Sequence, residues 1–153
     1  MGSKKARILL TADWRLHEVC EGIVRASRGS TVRLANAPRD AVRHVIDFAI
    51  QEEVNVLVNA GNTLTPELAC PSDYTFLYGE LDRLADANID VIWNWSPLDQ
   101  PDHWPRCFKF PSNVQLFNSS TPQILEVPLA ESGSINFVGL APSASDSVLA
   151  EWF

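Results

Sequence analysis

Apolar and polar positions along the chain fall into blocks that switch between two periods. Residues 5–11 carry three consecutive aliphatics, Ile8, Leu9 and Leu10, which stop at a polar tip and predict a buried strand. Residues 18–30 are mixed and predict at most a short helix ending at Gly29. Over residues 38–53, Ala41, Val42, Val45, Ile46, Ala49 and Ile50 recur at helical spacing, and Pro38 suits the first turn. Residues 54–59 read as a second strand ending in Ala60-Gly61-Asn62. A second helix is expected over residues 72–87, capped by Ser72 or Asp73, with Phe76, Leu77, Leu81, Leu84 and Ala85 as its apolar face. Residues 89–93 form a third strand. A loop with Pro97, Pro101, Pro105 and Pro111 follows, then strand candidates at 114–117, 123–127 and 135–140, and a helical start at 143–153.

Strand, helix, strand, helix, strand is the pattern of right-handed crossovers in a mainly parallel sheet, so the fold class is α/β. In such sheets the working groups gather at the carboxyl ends of the strands. Three strand ends therefore matter most: Asp13 to Arg15, Gly61-Asn62, and Asn94 to Pro97.

Composition narrows the field. The chain has 153 residues, 46% hydrophobic and 20% charged, enough for one domain with its own core. No apolar run reaches the roughly 20 residues of a membrane span, and the first residues lack the apolar stretch of a signal peptide. Cys20, Cys70 and Cys107 are odd in number and widely spaced, which favours free thiols and a reducing cytoplasm over a disulfide framework. The net charge of −7 argues against strong nucleic-acid binding through phosphates. Only Arg25, Arg28, Arg33, Arg39 and Arg43 make a locally basic stretch, read as a solvated face rather than a phosphate track.

The strand ends carry a resemblance. Thr11-Ala12-Asp13-Trp14-Arg15-Leu16, the helix from Pro38 to Ala49, Gly61-Asn62, Asn94-Trp95-Ser96-Pro97, Asn113 to Phe117 and Phe137 to Pro142 together resemble the calcineurin-like metallophosphoesterases. The SbcD-type DNA repair exonucleases are the nearest branch by this pattern. The resemblance runs from Arg7 to Ser143. It implies a layered sheet with flanking helices, a single domain over residues 6–153, and a family fold whose C-terminal part is missing or short. It also implies a chemistry. Two divalent ions roughly 3.5–4 Å apart clamp a phosphodiester, held by carboxylates, imidazoles and an amide.

Position by position, that ligand set is depleted. Asp13 keeps the first carboxylate, but Arg15 stands where the family has histidine, and a guanidinium has no lone pair to donate. Asn62 replaces the bridging carboxylate. Trp95 stands at the ligand asparagine that follows Asn94, and Ser96 at the histidine that assists the leaving group. At about 4 Å and an effective dielectric of about 20, Arg15 would repel a divalent ion by roughly 8 kcal/mol. Beside Asp13 the same group makes a charge-assisted pair. Arg15 is thus expected to pair with Asp13 in the metal position, with Trp95 plugging part of the cleft.

Other candidates carry less. His17 is expected to face solvent. His17 with Cys20 and His103 with Cys107 have metal-like spacing but no second pair, and His44 is a surface residue. Trp93, Trp95 and Trp104 either stack on a ligand or fill the loop, and the acidic chain favours filling. Asp99 and Asp102 are candidates for a displaced acid, although they lie on the far side of Pro97 from the strand end. Ser96 lacks a base and an elbow motif, so it is no nucleophile.

The leading expectation is a catalytically inactive relative that acts by binding or assembly, with no catalytic residue and no cofactor. The degenerate site comprises Asp13, Arg15, Asn62, Asn94, Trp95 and Ser96. An active phosphoesterase or nuclease using manganese or another divalent metal is the alternative, and a self-associating structural module the third. The expected partners are a protein or a second copy, with nucleic acid bound weakly and no membrane.

Overall fold

A computed structural model describes residues 5–18, 28–129 and 133–141. Four parallel strands, β1 (Ile8–Thr11), β2 (Val56–Asn59), β3 (Asp90–Trp93) and β4 (Val114–Leu116), lie in the order β1-β2-β3-β4. Crossover helices α1 (Arg28–Gln51) and α2 (Pro71–Asp86) join the first three. An antiparallel hairpin of β5 (Gln123–Pro128) and β6 (Ser134–Gly139) follows. The α/β class with a parallel sheet and flanking helices is the observed architecture.

Strand alternation sorts the sheet's two faces. Leu57, Val91 and Trp93 point to the helix side, where Val42, Ile46 and Ala49 of α1 and Leu77, Leu81 and Leu84 of α2 bury against them. Val56 and Ile92 point the other way, under Val127 and Phe117, with Leu125, Ile135 and Phe137 of the hairpin packed around them. The result is three layers: helices, sheet, hairpin.

The β3–β4 crossover has no helix longer than one 3-10 turn, Pro101–His103. Its prolines withhold the amides that a helix needs. Trp95, Trp104, Phe108 and Phe110 fill the helix's place, each ring within 6.5 Å of the next, measured by centroids of 5.7 Å for Trp95–Trp104, 5.1 Å for Trp104–Phe108 and 5.0 Å for Phe108–Phe110.

Several expectations are corrected. β1 is not a buried strand: Ile8 is 49% exposed and Leu10 70%. It is the sheet edge, and the hairpin covers Val56 and Ile92 without reaching it. Pro38 lies inside α1 rather than in its first turn, and Gly29 lies at the helix start rather than ending an earlier one. Proline's fixed φ is helical, so the chain accepts Pro38 at the loss of one amide bond. The N-cap of α2 is Cys70, two residues before Ser72. Asp73 serves the cap from the first turn, its carboxylate accepting the Cys70 amide at 2.8 Å. The helical start at 143–153 and most of segment 18–30 lie outside the described residues.

The seam between α1 and α2 is held by charge. Arg39 donates to buried Asp73 at 2.6 Å and to Ser72 at 2.8 Å. Arg43 and Arg83 flank the buried Glu80, at 3.5 Å and 2.6 Å, and Arg83 also donates to Asp47. Phe76 lies under the guanidinium groups of Arg39 and Arg43 at 5.6 and 5.0 Å. Arg39 and Arg43 of the basic stretch are therefore neutralised within the fold.

Burial pushes the Asp73 carboxyl up, but hydrogen bonds from Arg39 and from the Cys70 thiol and amide outweigh it and hold it below its ordinary value of 3.8. A depressed carboxyl stabilises the fold above the unfolded value and loses that contribution as pH falls through the folded one. Asp73→Asn is therefore expected to cost about 2–3 kcal/mol at pH 7. In denaturant melts from pH 7 to pH 2.5, the gap to the native chain should close below about pH 3.8. A gap that stays constant with pH contradicts the assignment.

Candidate functional site at the strand ends

The loops after β1, β2 and β3 meet beyond the carboxyl ends of the sheet. The first two continue the parallel ladder past the strands. Asp13 N–H donates to Gly61 O at 3.0 Å, Arg15 N–H to Asn62 O at 3.3 Å, and Leu16 N–H to Thr63 O at 2.9 Å. Asp13 (φ 57°), Arg15 (φ 46°) and Asn62 (φ 58°) all have left-handed backbone. Asp and Asn tolerate that region, whereas for arginine it costs roughly 1 kcal/mol. The two left-handed residues around Trp14 turn its indole inward, where it meets Trp93 edge-on at 5.9 Å, and leave Asp13 and Arg15 facing out.

The predicted residues fall into two groups. Asp13, Arg15 and Asn62 come together. Asn62 Nδ2 donates to Asp13 Oδ1, and Arg15 Nε lies 3.8 Å from the same oxygen. The guanidinium is shared: its Nη1 donates to Glu18 Oε2 at 3.2 Å, closer than its approach to Asp13. Asn94, Trp95 and Ser96 instead build the third loop. Asn94 Oδ1 accepts the Trp95 amide at 2.9 Å, and Trp95 is buried with Nε1 donating to Phe117 O at 2.7 Å. Ser96 Oγ accepts the Leu98 amide at 3.2 Å.

His17 does not simply face solvent. Its Nδ1 accepts the Thr65 amide at 3.0 Å and ties the first loop to the second. Its partner in the metal-like spacing, Cys20, lies outside the described residues. His103 Nδ1 sits 2.8 Å from Glu67, and Cys107 is an exposed free thiol.

Asp99 is the residue that local reading underweighted. It is fully buried. Its Oδ2 accepts the Thr63 amide at 2.7 Å, its Oδ1 accepts the Ser96 amide, and its carbonyl accepts Trp104 Nε1 at 2.9 Å. One carboxyl therefore staples the second loop to the third, while Asp102 stays exposed. Beneath it, Asn59 Oδ1 accepts the Gly61 amide at 2.9 Å and its Nδ2 donates to Thr63 at 2.9 Å. The short polar run after Asn59, with Gly61, was the available signal for that turn.

Gly61 lies under the third loop. A β-carbon there would sit 2.8 Å from the Trp95 carbonyl carbon and 2.9 Å from the Ser96 amide nitrogen, and its φ is +94°. Close loop approach and left-handed backbone both require glycine at this point.

No family model matches the chain. Over 112 residues it is 26% identical to the uncharacterized metallophosphoesterase YhaO of Bacillus subtilis (strain 168). The distant relative is a metallophosphoesterase. That match takes in 73% of this chain, which spans only 28% of the relative's length. Among solved structures, the chain is similar to a dimetal phosphatase from Danio rerio, with 16% identity and a TM-score of 0.39. That likeness covers 60% of this chain and 29% of the other. Among the described residues, no three His, Cys, Asp or Glu side chains gather in a way that holds a metal ion, and no helix is long and apolar enough to cross a membrane.

Proposed function

We propose that this chain is a catalytically inactive metallophosphoesterase-like domain, of the SbcD-type exonuclease branch, that acts by binding or assembly. One observation carries the reading: the Asp13 carboxylate is already engaged by a cation and an amide of its own chain, Arg15 and Asn62. The donor set at the strand ends is two carboxylates, Asp13 and Glu18, one amide, and the one guanidinium that lies between the carboxylates. It does not fit a pair of divalent ions, which need several anionic or imidazole ligands and no adjacent cation. Asp99 does not make up the shortfall, because both of its oxygens accept backbone amides. Trp95 offers an indole donor, and that donor is spent on Phe117.

Hydrolysis of bis-p-nitrophenyl phosphate with manganese tests this. The native chain and Asp13→Ala should show the same background rate. Turnover that Asp13→Ala abolishes would establish an active enzyme with a rearranged site. The exposed free thiols Cys70 and Cys107 favour a reducing, cytoplasmic setting, and the net charge of −7 favours a protein partner over DNA.

A second reading, self-association, is favoured by the edge strand. β1 exposes Ile8 and Leu10, Phe48 of α1 is 52% exposed, and the outer edge of β1 is unpaired within the described sheet. An apolar strand edge of this kind promotes pairing between chains. Light scattering should show dimer formation that Leu10→Lys reduces at least tenfold, and a native chain that stays monomeric at high concentration rules the reading out.

A further inference from the structure

A second concave site, which includes none of Asp13, Arg15 and Asn62, lies between α2, the end of the loop after β2 and the part of the loop after β3 that follows the 3-10 turn. Its volume is about 680 Å³, within the range of roughly 300–1,000 Å³ typical of small-molecule sites. Tyr74 and Tyr78, one helical turn apart on α2, face Pro105 and Phe108, with Pro66 closing one end and Lys109 at the rim.

The floor is held before any ligand arrives. Tyr74 packs against Trp104 and Phe108 at 5.6 Å each, and its hydroxyl donates to Pro66 O at 3.1 Å. Burial, with Glu67, Asp73 and Cys107 nearby, pushes the Tyr74 phenol up from 10.0, so it remains a donor. Fixed rings and prolines lose little freedom on binding.

The polar groups decide the ligand's charge. The Tyr74 and Thr75 hydroxyls both donate to backbone carbonyls, of Pro66 and Pro71, and are spent. Glu67, the acid near the rim, is held by His103 at 2.8 Å. Lys109 has no ion-pair partner among the described residues, so the unspent charge on the site is a cation.

We propose that this hollow is a binding site for a planar aromatic anion, its rings lying between Tyr78 and Phe108 and its carboxylate or other acidic group reaching Lys109. Neither the metal chemistry of the strand ends nor its loss enters the argument.

Calorimetry with 2-naphthoate and its neutral counterpart 2-naphthamide tests it on the full chain. Naphthoate should bind one to one, about tenfold tighter than the amide, a difference of about 1.4 kcal/mol. Lys109→Met should remove that preference and leave the amide unchanged. Tyr78→Ala should weaken both ligands, and Asp13→Ala should change neither. Bound naphthoate should also slow maleimide labelling of Cys107, which shares the lining. Lys109 and Tyr78 are exposed, so their variants should melt like the native chain. Equal affinity for acid and amide, a preference that survives Lys109→Met, or no saturable binding at millimolar ligand each overturns the proposal.

Discussion

Asp99→Ala is expected to destabilise the chain by about 3–5 kcal/mol, more than any substitution at Asp13, Arg15 or Asn62. The side chain is fully buried and both its oxygens accept backbone amides from separate loops. Hydrogen bonds to a carboxylate contribute about 1.5–3 kcal/mol each, and alanine leaves the Thr63 and Ser96 amides without partners. Asp99→Asn should cost less, about 2–3 kcal/mol, because one amide oxygen still accepts while the amide NH₂ faces a donor. Urea denaturation gives the magnitude. Native-state hydrogen exchange gives the location, with the Thr63 and Ser96 amides losing protection first. A cost below about 1 kcal/mol would show that Asp99 does not hold the loops together.

Gly61→Ala is expected to cost about 3–4 kcal/mol by a different route. The left-handed φ of +94° contributes about 1–2 kcal/mol for any residue with a β-carbon. The remainder is overpacking, since the new methyl group would sit 2.8–2.9 Å from backbone atoms of Trp95 and Ser96 that no rotamer change can move. The third loop must lift, which also draws the Ser96 amide away from Asp99. Gly79 is the control: it lies in α2 with open space around its β position, so Gly79→Ala should stabilise by up to about 1 kcal/mol. If both alanines behave alike in thermal melts, the close loop approach at Gly61 is not a feature of the folded chain.

Much of the fold was legible because its signals are local. Strands β2 and β3 and helix α2 follow from periodicity and lie within a residue or two of expectation. The strand-end site was legible in part. Asp13, Arg15 and Asn62 follow the carboxyl ends of adjacent parallel strands, so topology alone brings them together. What escaped depends on distant partners. The staple by Asp99 spans 36 residues, and the tie from Thr65 to His17 spans 48. No local pattern announces either. Pro38 misled because its preference for a first turn does not forbid the interior, where φ is equally suitable. The burial expected of β1 failed because Ile8-Leu9-Leu10 states how apolar a strand is, and only the sheet order states whether it lies at an edge. Glu18, three residues from Arg15 and the closer of its two partners, carries no metal-site signature, so only its position within reach of the guanidinium marks it in the sequence.

We propose that Arg15 is a cation standing at the place where metallophosphoesterases hold a metal; its guanidinium lies 3.8 Å from Asp13 and 3.2 Å from Glu18. Manganese calorimetry is the most direct test of that claim. The native chain should show no saturable binding up to millimolar manganese, whereas Arg15→His combined with Asn62→Asp should restore weak binding of one ion by supplying an imidazole and a second carboxylate beside Asp13. Tight binding of two equivalents by the native chain would contradict the account.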